Sequence, residues 1–324
     1  MRRRDLVTGL GISAVLTPLD VFAQSATEKR VWRVGLLSNG PHQRTGWRRA
    51  LLQVLGQAGL TPGKNLELIE RYSEGNSERL PQLAREIGEA DAIIAISQPA
   101  VLAAVAATKT SPIISVGSDP VANGLAKGYA HPGGRVTGIS YQTTEGDPKR
   151  LELLSEAIPA SHHFGYLGVA YQAATPLPQE MAQAAARLGI ELTARWILGP
   201  GDYERAFREI RDAGAAGVVI GANQPLASDA ERVVGNAVER RLPVICEWDY
   251  MARAGCFLSY GHNLERGERR VAEYVLRILN GTNPAELPIE RSDEWKLTVN
   301  RLVAEQLGLI VPSAILARAD EIIE

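Results

Sequence analysis

Asp91-Ala92-Ile93-Ile94-Ala95-Ile96-Ser97-Gln98-Pro99-Ala100-Val101-Leu102-Ala103-Ala104-Val105-Ala106-Ala107 changes character at Ser97. Before Ser97 runs a short unbroken apolar segment, the pattern of a strand buried on both faces. After it, Pro99 suits the first turn of a helix, where a missing amide hydrogen is harmless. The Ala-rich residues 100–108 then favour a helix. A strand, a tight polar turn and a helix make one βα unit, and such units build parallel sheets with covered faces.

The same unit recurs outward from this stretch. Upstream, 31–37 reads as a strand, 47–58 as a helix closed by Gly59, 66–72 as an alternating strand and 77–87 as a helix opened by Ser77 or a nearby cap. Downstream, 113–116 and 135–140 are strands. A polar stretch at 141–149 follows, and then the rhythm restarts. Strands are expected at 164–169, 191–197, 217–220 and 243–246, and helices at 179–188, 203–212 and 228–240. Two series of βα units with right-handed crossovers predict an α/β protein of two Rossmann-like lobes. Residues 256–261 read as a strand leading to a second crossing between lobes, and 264–280 as a helix ended by Gly281. The expected division is 31–140 with part of 262–295 in the first lobe, and 143–258 with part of 296–324 in the second.

The length of 324 residues accommodates two such lobes. The 45% hydrophobic and 22% charged residues are those of an ordinary folded chain. A net charge of −2 argues against a nucleic-acid partner, which needs a clustered basic excess. The first 23 residues read as an export signal: Arg2, Arg3 and Arg4, an apolar run over 6–19, then Val21-Phe22-Ala23 with cleavage after Ala23. Arg3-Arg4-Asp5-Leu6-Val7 fits a twin-arginine signal, and a general secretory signal with an extra arginine fits equally. The apolar run is short for a bilayer of about 30 Å, and no Cys follows it to take a lipid. A periplasmic protein is expected. In an oxidising compartment Cys246 and Cys256 either pair or stay as small buried apolar residues.

Ligands of open parallel sheets gather beyond the carboxyl ends of the strands. Five loops lie there: Ser38-Asn39-Gly40, Ser97-Gln98-Pro99, Gly117-Ser118-Asp119-Pro120, Gly221-Ala222-Asn223-Gln224 and Glu247-Trp248-Asp249-Tyr250. The free amides at the helix start after Ser97 favour a carboxylate. Asp119 and Asp249 offer the opposite charge, so the set suits a zwitterion such as an amino acid. Each residue also has a plain structural reading. Ser97 caps its helix, Asp119-Pro120 is a turn dipeptide, Asn223 is a loop residue, Trp248 is packing, and Tyr141 and Thr143 are linker. No catalytic set is recognised. The five His residues lack metal-ligand spacing, and there is no G-x-S-x-G elbow, P-loop or G-x-G-x-x-G after the first strand. No cofactor is expected.

At these residues the chain resembles the substrate-binding proteins of ABC transporters, of the type that includes tryptophan- and other aromatic amino-acid-binding members. The resemblance runs over essentially all of the chain after the signal. It rests on Val34-Gly35-Leu36-Leu37, the turn from Gly59 to Asn65, Ser118-Asp119-Pro120-Val121 with Gly124, and Pro132-Gly133-Gly134-Arg135-Val136-Thr137-Gly138. Further on it rests on Ser259-Tyr260-Gly261, Ile278-Leu279-Asn280-Gly281, Pro284-Ala285-Glu286-Leu287-Pro288 and the ending from Asn300 to Ile323. It implies a type I-like periplasmic binding fold that closes on a small solute and then docks to an inner-membrane ABC permease. It implies no enzymatic activity, and a monomer is expected. It places Ser97, Ser118 and Asp119 on the first-lobe side of the cleft, Asn223 and Asp249 on the second, and Thr143 near the hinge. The sequence departs from the family pattern at Asn223-Gln224, where an acidic residue is usual, and at Glu247-Trp248-Asp249, where aliphatic or aromatic residues are usual. A solute-binding sensory module and an exported α/β enzyme are the rival readings.

Overall fold

The computed structural model describes residues 30–42, 46–141, 143–170 and 176–324, with only the backbone at 143 and 144. The expected export signal lies outside the described residues.

The first series of units is β1 (Trp32–Ser38), α1 (Gly46–Gln57), β2 (Leu66–Tyr72), α2 (Leu80–Ile87), β3 (Ala92–Ile96), α3 (Gln98–Ala107), β4 (Ile113–Val116) and β5 (Val136–Ser140). The second is α4 (Asp147–Ala157), β6 (His163–Val169), α5 (Gln179–Leu188), β7 (Glu191–Ile197), α6 (Tyr203–Asp212), β8 (Val218–Ile220), α7 (Gln224–Ser228), α8 (Ala230–Glu239), β9 (Val244–Cys246), α9 (Asp249–Arg253) and β10 (Leu258–His262). The chain then returns through α10 (Leu264–Leu279) and β11 (Glu290–Arg291), and ends with β12 (Trp295–Asn300), α11 (Arg301–Leu307), α12 (Ser313–Leu316) and β13 (Glu321–Ile323).

Two sheets result, in the orders β11-β5-β4-β3-β1-β2 and β13-β12-β10-β9-β8-β6-β7. Every pairing is parallel except β10 with β12. The α/β class with two Rossmann-like lobes therefore holds. Each sheet is covered on both faces. In the first, α1 and α10 pack Leu51, Val54, Leu55, Val271, Tyr274 and Val275 against one face, and Leu80, Leu83, Ile87 and Val101 of α2 and α3 close the other. In the second, Phe207, Ile210, Val233 and Val234 lie on one side, and Leu151, Leu154, Met181, Val303 and Ile315 on the other.

Several local expectations change. The helix expected over 77–87, opened by Ser77 or a nearby cap, begins as a 3-10 turn at Ser77–Arg79, and the nearby Asn76 is the cap, its side chain accepting from the Glu78 amide. The helix expected over 228–240 is α8, and a further short helix, α7, precedes it and abuts it at Asp229. The stretch 141–149, read as polar linker, already contains the start of α4. Cys246 and Cys256 form a disulfide, with Cα atoms 6.4 Å apart. It ties the end of β9 to the approach of β10, and both residues are fully buried.

Candidate functional site

Strand order locates the site. Both sheets reverse direction of progress at an inner pair: β1 and β3 in the first, β6 and β8 in the second. Helices leave such a pair on opposite faces, so a crevice opens beyond its carboxyl ends. In the first lobe that crevice is bounded by Ser38-Asn39-Gly40 and by Ser97. In the second it is bounded by Gly221-Ala222-Asn223. The two crevices face each other. A first side-chain carbon on Gly40 would lie 4.0 Å from Nε2 of Gln224.

On the first-lobe wall, Ser38 Oγ accepts the Gly40 amide at 3.0 Å, which turns the loop back on itself. Asn39 Oδ1 accepts from the hydroxyls of Ser73 at 2.6 Å and Ser77 at 3.2 Å, fastening the β1 loop to the end of β2. Ser97 is the N-cap of α3, yet its side chain makes no capping bond. Its backbone has φ 90° and ψ 154°, a region that residues with a side chain rarely enter. Its hydroxyl is buried without a hydrogen-bond partner among the described residues. No acidic residue occupies the first turn of α3. Gln98 donates to Asn123 Oδ1 at 2.9 Å, and Asn123 donates to Ser118 Oγ at 3.1 Å. Asn123 was absent from the sequence reading, since an Asn inside a turn carries no signal of its own.

Asp119 sits in the turn it was read to make. Its Oδ1 accepts the amides of Val121 at 3.0 Å and Ala122 at 3.1 Å, and its Oδ2 accepts the Tyr129 hydroxyl at 2.5 Å. Burial pushes its pKa up, but Tyr129, the two amides and the charge of Arg291 outweigh that and hold it below the usual value. The carboxylate keeps its charge and remains partly exposed.

On the second-lobe wall, Asn223 is the N-cap of α7 without a side-chain cap bond. Trp248 is the N-cap of α9 and is nearly buried, meeting the Tyr141 ring edge-on at 6.0 Å between centroids. Asp249 bonds Lys296 Nζ at 3.1 Å and Arg253 at 3.3 Å. Lys296 also reaches Glu321 at 2.7 Å, so this carboxylate anchors α9 to β12 and β13. Thr143 opens the turn before α4, between the two sheets.

The residues that hold the second wall in place were not found in the sequence. Asp147 and Arg150, both buried, form an ion pair in the first turn of α4. Asp147 also accepts from the Tyr166 hydroxyl at 3.0 Å and from the Ala222 amide at 3.2 Å, and Arg150 donates to the Tyr260 carbonyl at 2.6 Å. The amide of Ala222 fixes the loop that carries Asn223. A signal existed in the i, i+3 spacing of Asp147 and Arg150, but that spacing is ordinary on exposed helices.

Two lobes with opposed switch-point loops and a polar cleft define a two-lobed α/β binding protein. The sequence profile of ABC transporter substrate binding proteins matches residues 43–323, and the chain belongs to that family. It is 23% identical over 268 residues to a tyrosine-binding protein of Clostridioides difficile, covering 81% of this chain and 76% of that one. Among solved structures, a conserved domain protein of Vibrio cholerae superposes with a TM-score of 0.78 at 28% identity, over 90% of this chain and 100% of that one. An ABC domain from Streptococcus pneumoniae in complex with L-Trp superposes with a TM-score of 0.74 at 19% identity, again over 90% and 100% of the two chains.

Proposed function

We propose that this chain is the periplasmic receptor of an ABC importer, capturing an amino acid or a related small carboxylate between its lobes. The observation that carries this reading is Ser97. A buried hydroxyl without a partner stands at a helix start that lacks its own acidic residue, beside a cleft. The helix-start amides and this hydroxyl match a carboxylate. Ser38, Asn39, Gln98, Ser118 and Asp119 line the first wall and Asn223, Trp248 and Asp249 the second, with Thr143 near the hinge. Asp119 supplies the charge for a ligand ammonium. The closing lobes comprise 31–140 with part of 262–295, and 143–258 with part of 296–324. Bridging contacts favour the closed form, which docks to an inner-membrane permease. The chain works as a monomer after cleavage behind Ala23.

The test is a thermal-shift screen of the mature protein, followed by titration calorimetry, with L-tryptophan, L-tyrosine, the other amino acids, peptides, purines and small aromatic acids. A solute at 100 times its Kd stabilises the fold by about 2.7 kcal/mol. Binding confined to solutes without a carboxylate would sink the reading. Asp119→Ala is expected to weaken an amino acid more than its deaminated analogue, and equal losses would return Asp119 to the turn alone.

A further inference from the structure

The main chain passes between the two lobes three times: from β5 to α4, from β10 to α10, and from β11 to β12. Each passage carries an aromatic ring at its edge. These are Tyr141, His262 and Trp295, and they touch in succession. The centroids of Tyr141 and His262 are 5.3 Å apart, and those of His262 and Trp295 are 4.1 Å apart. Tyr260 also stacks on Trp295, with centroids 5.0 Å apart. Backbone bonds tie the same passages together, Ser292 N–H to the Ser140 carbonyl at 3.1 Å and Asn263 N–H to the Glu294 carbonyl at 3.0 Å. The three passages thus form one packed joint. Tyr141 links that joint to the second-lobe loop, because its ring also meets Trp248.

The hydroxyl of Tyr141 is poorly accommodated. The residue is 8% exposed, and its oxygen has no hydrogen-bond partner among the described residues. The oxygen points at α10, where a first side-chain carbon on Gly267 would overlap it. A buried donor without an acceptor is costly, and the cost is relieved wherever water reaches it.

We propose that Tyr141 is a positioning residue that sets the balance between open and closed cleft. Its ring carries the contact of Trp248 into the three-passage joint; on opening, Trp248 leaves Tyr141 and water reaches the unsatisfied hydroxyl, which biases the empty protein towards opening. This rests on the lobes closing, as the proposed function requires, but not on which solute they close upon.

The test therefore uses the protein without ligand. Spin labels go on Glu78→Cys and Leu198→Cys, one in each lobe, beyond the carboxyl ends of the outer strands β2 and β7, while the native cysteines stay in their disulfide. Tyr141→Phe removes one oxygen and keeps the ring. It is expected to shift the inter-label distances to shorter values, raising the closed-to-open ratio about fivefold or more. Tyr141→Leu breaks the ring contacts, and Gly267→Ala displaces the phenol without altering it; both are expected to lengthen the distances. A Phe variant with the parent's distance distribution overturns the proposal. So does a Leu variant that only lowers the melting temperature, the mark of a merely structural residue. Failure of every solute to bind would refute the receptor reading and leave this measurement decisive.

Discussion

Ser97 concentrates strain and unmet bonding in one residue. A non-glycine backbone at φ 90° costs on the order of 1–3 kcal/mol. Ser97→Gly is expected to raise the stability of the empty protein by about 1 kcal/mol, read by urea denaturation, and to weaken solute capture about tenfold by removing the hydroxyl. A variant that binds as well as the parent assigns the hydroxyl no role. Glu89 shows the opposite economy. Its carboxylate accepts the Lys109 amide at 2.6 Å, the hydroxyls of Ser111 at 2.7 Å and Thr110 at 2.9 Å, and the Ser111 amide at 3.0 Å. The Lys109 amide first, then the Ser111 hydroxyl, bring its pKa down to about 2. A depressed carboxylate stabilises the fold above its unfolded pKa of about 4.3, and that contribution is lost as pH falls towards 2. Glu89→Gln should therefore reduce stability at pH 7 and flatten the dependence between pH 5 and 2, measured by thermal melts across that range. Ser97 was legible because a strand, a small polar residue and a helix-starting Pro stand in line. Asp147 was not, because nothing near it in the chain tells a buried carboxylate from a solvated one.

At the scale of elements, two devices hold the second wall. The disulfide closes a ten-residue separation that contains α9, Trp248 and Asp249. Constraining a loop of that size contributes about 2–3 kcal/mol on the chain-entropy account. Replacing both cysteines by serine should lower stability by about that amount and loosen α9, read as faster amide exchange at 249–253. The second device is the buried pair of Asp147 and Arg150. Asp147→Asn leaves the Arg150 charge buried without its counterion and is expected to cost about 3–5 kcal/mol, read by chemical denaturation. Because the Ala222 amide bonds the same carboxylate, solute binding should fall as well. Elements with a clean pattern, such as α5, β7 and α6, have the bounds their sequence implies. The helix expected over 228–240 formed as α8, and the unexpected α7 precedes it on Gln224-Pro225, where Pro fits a helix start.

For the molecule as a whole, the second sheet is completed by the end of the chain. Strands β12 and β13 extend it beyond β10, and Leu297, Val299, Val303 and Ile315 enter its core. Burying each such side chain contributes about 1.5–3 kcal/mol, so their joint loss exceeds a typical domain's margin of 5–15 kcal/mol at its lower end. A chain ending at Glu294 should lose the cooperative melt of the second lobe, followed by calorimetry, while the first sheet keeps all six of its strands. A single unchanged transition would mean the second lobe does not depend on its last strands.

The sequence by itself determined the βα rhythm, the two mostly parallel sheets, the loops that carry polar groups and the family they belong to. Periodicity and turn chemistry are local, and the chain writes them within a few residues. Only the tertiary structure decided the rest. It paired Cys246 with Cys256, buried Asp147 with Arg150, and gathered Tyr141, His262 and Trp295 from three distant passages. Those outcomes depend on which surfaces meet: Asp147 and Arg150 are neighbours in the chain, but Ala222 and Tyr260, which meet them, are distant, and distant residues leave no joint mark on either stretch alone.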